Sequence, residues 1–227
     1  MFIPLKDLNP RRGYPIINTL LILTNVLVFF YQLTLSPHQY QNFVAANATI
    51  PSHIDRFLTG HASFEYAFLP LITSMFLHMG FAHIAGNMLF LWIFGDNVED
   101  YFGHFGYLLF YFACGIGSDI THIVFNLHSP VPALGASGAI SGVMGAYIVL
   151  FPRARVLTLV FLFFIPIPAF IILGYWFLLQ FLAGVTSVGT AATGGTAWWA
   201  HIGGFILGML ITFFSMGSSK RSPEPAY

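Results

Sequence analysis

The sequence predicts an all-α polytopic membrane protein, a bundle of six transmembrane helices. Three observations carry this expectation: a composition too apolar for a water-soluble surface, apolar segments of spanning length, and a one-sided distribution of positive charge. Of 227 residues, 57% are hydrophobic and 7% are charged, with a mean hydropathy of +0.78. A soluble domain carries about 25% charged residues, so a polytopic membrane protein is the class that fits. The formal net charge is zero, which gives no electrostatic reason to expect a nucleic-acid partner. Cys114 is the only cysteine, so neither an intramolecular disulfide nor a cysteine-rich metal site is expected.

Taken in order, residues 1–15 form an amino-terminal segment with Lys6, Arg11 and Arg12. The first span follows at 16–35. It is longer than the 7–15 apolar residues of a cleaved signal peptide, so it reads as an uncleaved anchor. Residues 36–69 mix His38, His53, Asp55, Arg56, His61 and Glu65 with Phe43, Phe57, Phe64, Tyr66 and Phe68. That mixture predicts a loop lying at the membrane interface. The second span is expected at 71–94, closed by an acidic turn of Asp96, Glu99 and Asp100, and the third at 105–125. Pro130 and Pro132 make the next connection non-helical, and the fourth span runs from Ser137 to Pro152. Pro166 and Pro168 break the following apolar stretch, which predicts a strand-like interfacial piece at 156–165 and a fifth helix at 169–183. A Gly/Thr/Ser loop at 184–196, a sixth span at 198–216 and a polar tail at 217–227 complete the chain. Residues 16–216 thus form one membrane domain, between a cytoplasmic amino-terminal segment and a cytoplasmic tail.

Six spans put Lys6, Arg11, Arg12, Arg153, Arg155, Lys220 and Arg221 on one side and only Arg56 on the other. This positive-inside bias predicts that both termini are cytoplasmic. The beginnings of spans two, four and six then share the opposite face. They carry His78 and His83, Ser137, and His201.

Those residues hold the candidate chemistry. Gly135-Ala136-Ser137-Gly138-Ala139-Ile140-Ser141-Gly142 opens the fourth span. Taken alone, its small residues at four-residue spacing suit close helix packing. A serine needs a base to become a nucleophile. His201 lies a few residues into the sixth span, where an ionisable group suggests function. Gly204 and Gly208 give that helix a small face that can meet span four. His83 and Asn87 share a face of span two and offer hydrogen-bond donors for an oxyanion, while His78 stands nearer the helix start. Three histidines could also supply nitrogen ligands, but no His-Glu-x-x-His motif and no carboxylate accompany them in spans two, four and six. Asp119 and His122 form a further candidate pair in span three, with Asp119 a possible partner for His201. A non-catalytic protein binding metal or handling protons is the competing reading.

Gly135-x-Ser137-Gly138, Ala200-His201-x-x-Gly204 and His78-x-x-x-x-His83-x-x-x-Asn87 together resemble the rhomboid family of intramembrane serine proteases. The resemblance implies a rhomboid-like six-helix fold and a Ser137–His201 dyad cleaving membrane-protein substrates in the lipid bilayer, without cofactor or metal. It implies an oxyanion site of the Ser137 N–H, His83 and Asn87, with His78 nearby. Glu99 and Gly103 match a structural Glu-x-x-x-Gly, and Trp176 would belong to a lateral substrate gate. The chain departs from the pattern in lacking a first-loop Trp-Arg pair, and in placing Ser141 where an aromatic can stack on the base. The minimal layout points to a prokaryotic plasma membrane.

Overall fold

The computed structural model describes residues 2–187 and 197–218. The chain begins with strand β1 (Phe2–Asp7) and then enters α1 (Ile16–Thr34). One face of α1 buries Asn18, Asn25 and Gln32 beside Leu21 and Phe29. The amides recur every seven residues, about two helical turns, and so line up. In lipid such groups need protein partners. Asn18 Nδ2 donates to the Leu91 carbonyl at 3.1 Å, and its Oδ1 accepts from the Tyr107 hydroxyl at 2.8 Å. Gln32 takes the backbone of His78 with both ends of its carboxamide, at 3.0 and 3.1 Å.

The connection expected as an interfacial loop is largely helical: α2 (Pro37–Asn47), α3 (Pro51–Leu58) and α4 (Phe64–Phe68). Each helix has its own start signal. Ser36 and Gln39 form a reciprocal capping box, Pro51 occupies the first turn of α3, and Ser63 caps α4, which satisfies backbone donors that a helix start leaves open.

The second span also differs from expectation. It is broken into α5 (Pro70–Thr73) with a 3₁₀ turn at Ser74–Phe76, and α6 (Phe81–Phe102). The pieces Phe64–Phe76 and Phe81–Phe102 meet at 80°. The reason lies in the Gln32 clamp, which occupies the N–H and C=O of His78 that a continuous helix would use. At the far end, Asp96, Glu99 and Asp100 lie inside α6, which ends at Gly103 with φ +72°. Buried Glu99 accepts from the N–H groups of Ile17 and Asn18 at 2.9 and 2.7 Å and is held by His104. It therefore caps the first turn of α1, where free donors and the helix dipole favour a carboxylate.

Next come α7 (His104–Asn126) and α8 (Ser137–Leu150), then strands β2 (Arg155–Val160) and β3 (Phe163–Pro168), α9 (Ala169–Ser187) and α10 (Trp198–Ser218). The strand-like piece is in fact a hairpin turning at Phe161 and Leu162, with Phe161 at φ +55°. β1 adds to it antiparallel, giving the order β1-β2-β3, with Asp7 opposite Val156 and Phe2 opposite Val160. The class is thus mostly helical with one small sheet, rather than all-α. Pro166 and Pro168 sit in edge strand β3, where a missing N–H breaks no outer ladder. The fifth helix continues to Ser187. The rest of the expected loop, 188–196, and the tail from 219 lie outside the described residues.

Among the described residues, four helices, α1, α7, α9 and α10, are long and apolar enough to cross a membrane, and the bent pair makes up to five. At the centre stands α8, apolar but only 14 residues long, with most of its side chains buried. Its glycines meet those of α10: a Cβ at Gly204 would overlap the Gly138 carbonyl, and one at Gly208 the Gly142 carbonyl. Small residues at four-residue spacing on both helices permit this backbone approach.

Candidate active site

Ser137 begins α8 because the chain before it cannot be helical. Pro130 and Pro132 keep that segment extended, and Ala133 pairs with Thr49 in an isolated bridge. Gly135 then takes φ +122°, a conformation open chiefly to glycine, and donates its N–H to the Ser74 carbonyl at 2.9 Å. The turn brings Ser137 to the end of the helix packed against α10, and that packing delivers the histidine. His201 Nε2 lies 2.8 Å from Ser137 Oγ, and His201 is 8% exposed.

The other ring nitrogen of His201 has a partner that was not anticipated. Gln180 Oε1 of α9 lies 2.7 Å from His201 Nδ1. Asp119, which the sequence offers only as a minor candidate for that place, accepts instead from Thr49 at 2.6 Å and from Ser74 at 3.1 Å. His122 is engaged by Asn126 of its own helix. The available signal for Gln180 was a lone amide in the apolar run of α9, four residues after Trp176 and four before Gly184. Those spacings place all three on one face.

His83 and Asn87 stand across from the serine. A Cβ at Gly135 would come within 2.8 Å of the His83 ring and 3.6 Å of Asn87 Nδ2. His78 is not itself at the front of the site. Its Nε2 lies 2.9 Å from Asn87 Nδ2, and its ring meets that of His83 edge-on at 5.0 Å. The imidazole thus accepts one Asn87 N–H and leaves the second free to point elsewhere. Ser141 makes no stacking contact with His201; its hydroxyl donates back to the Ser137 carbonyl at 2.6 Å. Trp176 of α9 and Trp198 of α10 flank His201 instead, with ring centroids at 5.9 and 6.3 Å.

Ser137, His201, His83, Asn87 and Trp176 all line one cavity of about 660 Å³. A cavity of that size is ample for several residues of an unwound peptide or for water. Among the described residues, no three His, Cys, Asp or Glu side chains converge as a metal site. Both nitrogens of His201 are already engaged by Ser137 and Gln180. Chemically, the arrangement offers a hydroxyl next to an imidazole nitrogen, with further donors on the opposite wall.

Fold and site together define a multi-pass membrane protein in which a buried histidine meets a half-buried serine at the wall of a cavity. Residues 66–218 match the family model of the Rhomboid domain, and the chain belongs to the rhomboid family. It is 34% identical over 157 residues to Rhomboid protein 1, mitochondrial, of Saccharomyces cerevisiae, covering 64% of this chain and 41% of the relative. It is 49% identical over 76 residues to Rhomboid protease GluP of Bacillus subtilis, covering 34% and 14%. With RHOMBOID-like protein 12, mitochondrial, of Arabidopsis thaliana, it shares 33% identity over 150 residues, 59% and 42% of the two chains. The matches thus span less than half the length of each of these relatives. Two of the three are named as mitochondrial, which does not fit the expected prokaryotic plasma membrane.

Proposed function

We propose that this protein is an intramembrane serine protease that cleaves transmembrane-helix substrates through a Ser137–His201 dyad. The observation that carries the reading is the 2.8 Å contact between His201 Nε2 and Ser137 Oγ inside the shared cavity. His201 takes the serine proton as Ser137 attacks the peptide carbonyl, then returns it to the leaving amine. The acyl-enzyme is released by water activated by the same histidine. Charge develops on the carbonyl oxygen beside the Ser137 N–H, His83 and Asn87, where each fixed donor can be worth about 3–4 kcal/mol.

Six crossings are the topology consistent with this chemistry. β1 pairs with β2, so the chain before α1 and the chain after α8 share one side. An even number of crossings must separate them, and α1, the bent pair, α7 and α8 supply four. α9 and α10 add two more, which leaves residues 1–15 and 217–227 together on the side of Lys6, Arg11, Arg153 and Arg155, the cytoplasmic side by charge. At about 1.5 Å per residue, the 14 residues of α8 cover about 21 Å of a core about 30 Å thick. A helix that short leaves Ser137 recessed below the opposite surface, with the cavity as its route to water. α9, carrying Trp176, forms one wall and serves as the lateral gate. The substrate is a membrane helix that unwinds at the cut, since a regular helix keeps its carbonyls bonded.

The test is reconstitution with a labelled single-span substrate. Native protein is expected to cleave it, and Ser137→Ala and His201→Ala to be inactive. A serine-directed fluorophosphonate should label native protein but not Ser137→Ala. Cleavage that survives both substitutions would sink the dyad, and stoichiometric metal in the purified protein would favour the non-catalytic reading.

A further inference from the structure

We propose that Gln180 is the positioning residue of the site: its carboxamide oxygen holds His201 in the tautomer with the proton on Nδ1, so that Nε2 presents a lone pair to Ser137. The inference rests on the dyad proposed above but is carried by a different contact. Gln180 Oε1 lies 2.7 Å from His201 Nδ1, and Gln180 is itself 8% exposed. A carboxamide oxygen can only accept, so the nitrogen facing it must carry the hydrogen. The remaining nitrogen is then the acceptor, and it is the one 2.8 Å from Ser137 Oγ. The tautomer a general base requires is therefore set by α9, a helix that contributes no reacting atom.

The contact is built into the packing. Trp176, Gln180 and Gly184 follow one another at four-residue spacing along the face of α9 turned to α10. A Cβ at Gly184 would stand 3.0 Å from Ile202 and 3.6 Å from Trp198, so the missing side chain lets α9 lie close at the level of His201. Trp176, one turn to the other side, has its ring 5.9 Å from the imidazole. No described carboxylate takes this place, since Asp119 is engaged by Thr49 and Ser74. A neutral amide fixes the ring and its tautomer, but does not balance the charge of the imidazolium that forms during attack. Because Gln180 rides on the same helix as Trp176, an outward tilt of α9 at this level would also separate the base from the group that orients it.

The test reads the tautomer directly. The full chain is labelled with ¹⁵N-histidine in micelles at neutral pH, and the His201 signals are identified by their loss in His201→Gln. The native protein should show a protonated Nδ1 and a bare Nε2. Gln180→Leu, similar in size but unable to accept, should lose that pure state, and Gln180→Glu, which can accept, should regain it. In the same samples kcat for a single-span substrate should fall at least about tenfold in Gln180→Leu with KM within about threefold, and recover in Gln180→Glu; a wrong tautomer costs far more in soluble triads. A native protein with the proton on Nε2 overturns the proposal, and so does a Gln180→Leu variant that keeps both tautomer and kcat. The native spectrum decides even if Gln180→Leu fails to fold. Failure of the dyad itself looks different: no variant cleaves and no Ser137-dependent labelling occurs, whatever the histidine spectrum shows.

Discussion

At the scale of single residues, the site depends on backbone torsions as much as on side chains. Gly135 holds φ +122°, and any Cβ there would press on the His83 ring at 2.8 Å. Gly135→Ala should therefore cost about 1–3 kcal/mol in unfolding free energy and lower kcat at least about tenfold, measured by thermal unfolding and substrate cleavage. Gly80 makes the useful contrast. Its φ of 175° is ordinary extended backbone and nothing lies within 4 Å of a Cβ, so Gly80→Ala should leave both readouts nearly unchanged. Asn87 is held by His78 at 2.9 Å and offers its second N–H to the cavity. If it binds the oxyanion, Asn87→Ala should lower kcat about 10²–10³-fold with little change in KM. His78→Leu removes only the tether and should cost less. A larger loss in His78→Leu than in Asn87→Ala would assign the donor role differently.

At the scale of elements, the decisive contact is α8 against α10. Two glycine pairs put the backbones in touch, and the histidine comes with them. Gly208→Val would drive a side chain into the Gly142 backbone, where neither helix can yield without parting. Overpacking of this kind typically costs about 1–3 kcal/mol or more, and here it should also separate His201 from Ser137. The expected result is a lower melting temperature together with loss of fluorophosphonate labelling. Gly174 on α9 has nothing within 4 Å, so Gly174→Val should be tolerated in both assays. The break between α5 and α6 follows the same logic at another place. Gln32 of α1 occupies the His78 backbone, and this leaves α6 to start at Phe81, where it can aim His83 and Asn87 at Gly135.

At the scale of the whole molecule, the amino-terminal strand ties the start of the chain to the hairpin that follows α8. β1 lies along β2, and Asp7 at its end accepts from the Asn9 N–H and from Asn97 Nδ2, both at 2.8 Å. Burial pushes the Asp7 carboxyl up from 3.8 to about 6, against the bond from the Asn9 amide. The folded state thus binds this proton more tightly than the unfolded chain does. The stability it contributes is complete below about pH 4 and is lost as pH rises through about 6, with a maximum near 3 kcal/mol for about two pH units. The melting temperature should therefore decline between about pH 4 and 6, and Asp7→Asn should flatten that decline. A slope unchanged in Asp7→Asn would show that other groups set it. Sidedness has its own test. Cys114 is buried and gives little background, so cysteines placed at Lys6 and Arg153 should react with an impermeant maleimide from the same side of the membrane. Reaction from opposite sides would contradict the pairing of β1 with β2.

Composition and the placement of seven of eight basic residues determined a membrane protein with an ordered set of apolar helices, because both are properties of local composition. Spacing alone likewise set the glycine faces and put His83 with Asn87, since helical periodicity is a short-range rule. The helices between α1 and α6 were also legible in principle, in the capping box at Ser36 and the prolines of the first turns, but their mixed composition hid them. What the sequence could not determine is which polar groups meet across the bundle. Asp119 and Gln180 are both polar residues in apolar helices, and nothing in their own neighbourhoods says which one reaches His201. That depends on the rotation of α7 and α9 about their axes, which packing against α10 decides. The three-stranded sheet is of the same kind: β1 and β2 are about 150 residues apart in the chain, and only the return of α8 to the side of the amino-terminal segment lets them pair. Ser137 and His201 are likewise brought together from 64 residues apart by two helices whose glycines let their backbones touch.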